Sequence, residues 1–111
     1  MTDDEQHFSS KMEGRRPIMA LLELLGQKWA LRILWELRDG ALSSRALRTA
    51  AGNISPTVLQ ARVNDLRDAG LIVLGDQGYS LTLLGVELQG AFAPLYQFAG
   101  RWADALKQDA P

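Results

Sequence analysis

Two helix starts fall close together in the middle of this chain, with a glycine stop between them. Ser43 precedes an apolar spacing of Leu47, Ala50 and Ala51, Gly52 follows, and Ser55-Pro56 opens a further run to about Ala69. A serine at such a position accepts a hydrogen bond from an amide of the first turn, and proline in that turn is preset for the helix. Asn53-Ile54 leaves only a tight connection between the two segments. Two helices joined by a short turn of this kind form a helix-turn-helix pattern.

The flanking segments complete an order of elements. Pro17 opens a first helix in which Ile18, Leu21, Leu22 and Leu25 keep helical spacing, and Gly26 closes it. A second helix is expected from about Gln27 to Arg38, with Trp29, Ala30, Ile33, Leu34 and Leu37 inward and Gly40 as its stop. After the fourth helix and Gly70, the runs Leu71–Leu74 and Tyr79–Thr82 flank Gly75-Asp76-Gln77-Gly78, which reads as a β-hairpin. Thr82 caps a final helix to about Lys107, where Leu84, Leu88, Phe92, Leu95, Ala99, Trp102 and Leu106 recur every three or four positions. Pro94 lies inside it. Its ring meets the carbonyl of Gly90, where glycine leaves room, so a bend near 90–94 is expected rather than a break. The fold class is mainly α (α+β): a winged helix-turn-helix with a two-stranded hairpin wing and a long C-terminal dimerisation helix. Residues 1–14 are expected to be a flexible acidic tail and residues 15–111 the domain.

Composition narrows the function. Of 111 residues none is cysteine, and the one histidine, His7, stands in the acidic start, so thiol chemistry and sulfur-built metal sites are excluded. No phosphate loop or activated pair of carboxylates stands out, so no enzyme activity, catalytic residue, metal or cofactor is expected. No apolar run reaches the roughly 18 residues of a membrane span and no signal peptide opens the chain, which makes the cytoplasm the expected location. The net charge of −1 is unevenly spread. Residues 27–67 hold Lys28, Arg32, Arg38, Arg45, Arg48, Arg62 and Arg67 against Glu36, Asp39 and Asp65, whereas the flanks are acidic. A basic middle is the electrostatic footprint of a nucleic-acid contact or simply a mixed solvated surface.

On a helical wheel of the fourth helix, Leu59, Val63 and Leu66 form the core face. Thr57, Gln60, Ala61, Asn64 and Asp68 fall opposite. The N-terminal half of that stripe is uncharged, which suits a recognition helix in a major groove. Gln60 and Asn64 can each pair with adenine, and Ala61 can touch a thymine methyl. Arg45 and Arg48 on the preceding helix, with Ser43 and Ser55 at helix starts, are the expected phosphate contacts, and Lys28 and Arg32 are weaker ones. Arg62 falls beside the core face, which suits a packed stem and a head paired to a carboxylate. Trp29, Trp35 and Trp102 suit core or dimer contacts. The apolar stripe of the final helix exceeds the needs of one small core. Phe92, Leu95, Phe98, Trp102 and Leu106, with Ile18, Leu21 and Leu22, are the expected homodimer surface.

The wording is more specific than the element order. Arg16-Pro17-Ile18, Leu24-Leu25-Gly26-Gln27-Lys28-Trp29, Ile33-Leu34-Trp35-Glu36-Leu37, Gly52-Asn53-Ile54-Ser55-Pro56-Thr57-Val58-Leu59, Asp68-Ala69-Gly70-Leu71-Ile72 and Tyr79-Ser80-Leu81-Thr82-Leu83-Leu84-Gly85 together resemble the HxlR-type winged-helix regulators, relatives of the MarR type. The resemblance spans roughly residues 16–107. It implies a homodimer built from the first and last helices, two helix-turn-helix units on double-stranded DNA, and repression or activation of nearby genes. Many members carry a cysteine just before the proline that matches Pro17. Arg16 stands there in this chain, so thiol sensing does not carry over. The wing is also short, with Asp76 and no basic residue, and an acid there repels phosphate. Any effector is expected to be small and apolar or aromatic, in a pocket between the dimer helices near Pro94. The alternative function is a winged-helix module for a protein partner or a ligand, with weak or lost DNA binding.

Overall fold

A computed structural model describes residues 16–109. The expected flexible tail, residues 1–14, lies outside the described residues. Five helices and one hairpin follow in order: α1 (Pro17–Leu25), α2 (Ala30–Glu36), α3 (Ser44–Ala50), α4 (Pro56–Asp68), β1 (Ile72–Gly75), β2 (Gly78–Leu81) and α5 (Leu83–Asp109). This is the element order expected from the sequence.

The second helix is shorter than its periodicity suggests. Trp29 takes a left-handed backbone, φ +79°, so the helix begins only at Ala30, and it closes at Leu37. An indole in that region is uncommon for a bulky residue, and nothing in the local sequence flags it. This start leaves Ala30 buried and Trp29 half-buried against the core.

The core gathers all elements around α2 and α4. Ile33, Leu37, Leu47, Val63 and Leu66 are fully enclosed, joined by Leu24 and Leu25 from α1 and by Leu71, Ile72 and Tyr79 from the hairpin. β1 and β2 pair antiparallel, Ile72 opposite Leu81 through Gly75 opposite Gly78, around Asp76-Gln77. Leu42 adds a bridge to Tyr79, with amide-to-carbonyl bonds of 2.9 and 2.8 Å, which fastens the wing to the entrance of α3. Gly78 is required there twice over. Its φ is +109°, and a Cβ would run into the Leu42 carbonyl.

Thr82 clasps the exit of the wing. Its Oγ1 donates to the Gly70 carbonyl at 2.7 Å and accepts from the Gly85 amide at 3.0 Å, capping α5. The last helix then runs unbroken through Pro94. Its contacts with the domain end at Tyr96, which meets Trp35: Gly85 is buried, Leu88, Gln89 and Phe92 are half-buried, and residues 93–108 are exposed. A radius of gyration of 15.7 Å, against about 13 Å for a compact chain of about 100 residues, reflects this projecting helix. Among the described residues no helix is long and apolar enough to cross a membrane.

A candidate DNA-binding surface and its braced turn

The turn between α3 and α4 rests on two consecutive left-handed residues, Gly52 at φ +87° and Asn53 at φ +61°. Glycine and asparagine are the residues that adopt this region at least cost. The Gly52 amide bonds to the Thr49 carbonyl at 3.1 Å and the Asn53 amide to the Arg48 carbonyl at 2.8 Å. The helices on both sides of the turn are capped as expected. Ser43 Oγ accepts from the Ala46 amide at 3.1 Å and Ser55 Oγ from the Val58 amide at 3.2 Å. As acceptors, both hydroxyls keep a hydrogen to donate outward.

Three arginines brace this unit. Arg48 Nε donates to the Ile54 carbonyl at 2.9 Å, from a half-buried position across the turn. Arg32 on α2 donates from Nη2 to the Ala50 carbonyl at 2.9 Å, satisfying an end of α3, while its Nε pairs with Glu36 at 2.8 Å. Arg62 Nη1 donates to Gln27 Oε1 at 2.9 Å and to Asp65 Oδ2 at 3.1 Å, tying α4 to the α1–α2 connection. The carboxylate pairing of Arg62 matches its position beside the core face. The braces formed by Arg32 and Arg48 had no signal in the sequence, because their carbonyl partners are defined only by the folded turn.

The residues expected to read DNA differ in exposure. Thr57, Gln60 and Asn64 are exposed on α4 and Ala61 is half-buried between them; Arg45 is exposed on α3. Gln60 Nε2 donates to Asn64 Oδ1 at 2.9 Å, so the two amides are joined. Arg67, exposed three residues past Asn64, extends this side with a positive charge. Helical spacing carries that signal, although the uncharged half of the stripe draws attention first. Asp76 is exposed at the wing turn, and Val73 and Leu74 on β1 are exposed as well.

The apolar residues expected at a dimer surface divide in two. Ile18, Leu22, Leu95, Phe98, Trp102 and Leu106 are each 52–56% exposed. Leu21 and Phe92 instead pack half-buried against the core. Leu21 shares a face of α1 with the buried Leu24 and Leu25, and Phe92 lies in the half of α5 that touches the domain. A shallow apolar groove lies where α2 meets α5, lined by Leu31, Trp35, Leu88, Phe92 and Tyr96. Trp35 and Tyr96 meet at 5.5 Å between ring centroids, and the Arg38 guanidinium stacks on Trp35 at 4.1 Å.

A two-helix unit with a capped second helix, a hairpin fastened beside it and a long closing helix define a winged helix-turn-helix protein. The model of the HxlR-like helix-turn-helix family matches residues 24–107. The chain belongs to that family of transcriptional regulators. An uncharacterised helix-turn-helix-type transcriptional regulator of Methanocaldococcus jannaschii is 26% identical over 91 residues, covering 78% of this chain and 86% of the relative. Among solved structures, a possible HxlR family transcription factor from Thermoplasma volcanium is 30% identical with a TM-score of 0.66, covering 80% of this chain and 86% of its own. Quinone-bound YodB from B. subtilis is 25% identical with a TM-score of 0.72, covering 76% and 96%. A MarR family regulator from Enterococcus faecalis, 22% identical with a TM-score of 0.72, covers 86% and 96% and shares the fold.

Proposed function

We propose that this chain is a sequence-specific regulator of transcription that binds double-stranded DNA as a homodimer, with α4 in the major groove. The observation that carries the reading is the exposed, uncharged stripe of Thr57, Gln60, Ala61 and Asn64 on a helix held by a capped and arginine-braced turn. Such a face can donate to and accept from base edges. Arg45, the terminal nitrogens of Arg48, and the hydroxyls of Ser43 and Ser55 take the adjacent phosphates. The second copy packs through the exposed halves of α5 and α1, placing two recognition helices on one side. The preferred site is then an inverted repeat with half-sites about one helical turn, roughly 34 Å, or a small multiple apart.

Selection of bound sequences from random duplex DNA, followed by salt titration on the selected site, tests this. An inverted repeat and a steep loss of affinity with salt are expected. A chain that binds no duplex at 50 mM salt has a different role, and the acidic wing then points to a protein partner.

The groove between α2 and α5 supports a small aromatic effector. Its relative YodB is a quinone-bound structure. Here the chain offers no thiol for a quinone to add to, so a ligand would be held by stacking on Trp35 and Tyr96. Quenching of tryptophan fluorescence by a quinone, weakened in Tyr96→Ala, is the expected outcome. Quenching unchanged in that variant would place the ligand elsewhere.

A further inference from the structure

The hydrogen bond between Gln60 and Asn64 changes what each side chain can offer a base. Free of one another, both are carboxamides able to pair with adenine. In this structure Gln60 Nε2 gives one hydrogen to Asn64 Oδ1 at 2.9 Å, one turn along the same exposed face of α4. A carboxamide nitrogen carries two hydrogens, and giving the one directed away from Oε1 leaves the other beside it. Gln60 therefore keeps Oε1 as an acceptor and the adjacent N–H as a donor, the pair that adenine N6–H and N7 complete. Asn64 is left differently. Its carbonyl is engaged, and its Nδ2 presents two donors.

We propose that Gln60 and Asn64 act as one specificity-determining unit: Asn64 positions the Gln60 amide to read adenine, and its own Nδ2 reads a neighbouring base that presents acceptors in the major groove. Guanine, with N7 and O6, and thymine, with O4, are such bases, and the nearby Ala61 adds methyl contact to the second. The inference rests on α4 being the recognition helix. Its physical content is preorganisation. A glutamine side chain has three rotatable bonds to fix on binding, and a bond already made in the free protein removes much of that ordering from the binding step.

Asn64 is thus a positioning residue for a base it does not touch, which separates this arrangement from two independent contacts. The test measures binding of the wild type, Gln60→Ala, Asn64→Ala, Asn64→Asp and the double variant Gln60→Ala with Asn64→Ala to the selected half-site and to its single-base variants. Thermal melting checks that each variant is folded. Asn64→Ala should lower the adenine preference at the Gln60 position by about tenfold, close to the loss seen in Gln60→Ala. The double variant should lose little more there. Asn64→Asp keeps an acceptor for Gln60 but no donors. It should retain the adenine preference while losing discrimination at the neighbouring base, over a uniform drop from the added charge. An adenine preference intact in Asn64→Ala, or losses that simply add in the double variant, would overturn the proposal and leave DNA binding by α4 standing. A wild type that binds no duplex would overturn both.

Discussion

Arginines that look alike in the sequence have different tasks once the turn is folded. Arg45 is exposed on α3, whereas Arg48 reaches across the turn to a carbonyl whose residue, Ile54, is 3% exposed. Arg45→Ala should therefore flatten the salt dependence of DNA binding by about one unit of slope and leave the melting temperature unchanged. Arg48→Ala should in addition lower stability by about 1–2 kcal/mol, because it leaves the Ile54 carbonyl without its partner. Denaturant unfolding of both variants, beside salt titrations, separates the two roles; equal stability would show that the bond to Ile54 contributes nothing. Asp76 belongs to the same scale. Exposed on a wing with no basic residue, it would face phosphate with the wrong sign, so Asp76→Ala should leave DNA affinity unchanged or raise it. Weaker binding by that variant would mean the wing makes a contact of its own.

At the scale of elements, polar joints add to the apolar packing that holds the wing and the long helix to the domain. Thr82 satisfies an amide at the start of α5 and a carbonyl after α4 with a single hydroxyl. Thr82→Ala should cost about 1–2 kcal/mol, and Thr82→Ser should recover most of it. Chemical denaturation monitored by circular dichroism reads both, and an unaltered midpoint for the alanine variant would assign the joint to packing alone. Elements bounded by cap, glycine or proline signals were legible in the sequence: α3, α4, the hairpin and the start of α5 fall within a residue or two of their expected bounds. The start of α2 was not. Its periodicity extends back through Trp29, where the backbone is instead left-handed and no local signal marks it.

For the whole molecule, the exposed run from residue 93 to 108 decides how a single chain can exist in water. Leu95, Phe98, Trp102 and Leu106, with Ile18 and Leu22 on α1, leave a row of large apolar side chains more than half exposed, the kind of surface that marks an interaction site. A partner covering about 800 Å² of each chain would make a standard interface. Sedimentation at micromolar concentration should give twice the 12.2 kDa chain mass, and Phe98→Glu with Trp102→Glu should return the monomer with its helix content kept. Those variants should also lose affinity for an inverted repeat while keeping weak binding to a single half-site, since two linked contacts bind far more tightly than one. A wild-type monomer throughout that range would remove the dimer from the proposal.

The sequence by itself determined the order of elements, the tight turn and the face of α4 left outside the core. Each of these is written in local signals: a serine before a proline, Gly52-Asn53 where the backbone must turn left-handed, apolar residues at helical spacing. Hydrogen bonds between distant segments have no such local mark. That Arg48 braces Ile54, that Arg62 reaches Gln27, and that Leu21 and Phe92 turn inward while Leu22 and Leu95 stay outside were decided only when the helices met. A long side chain can serve any partner within its reach, and an amphipathic face wider than its core leaves the choice of inner residues to the packing.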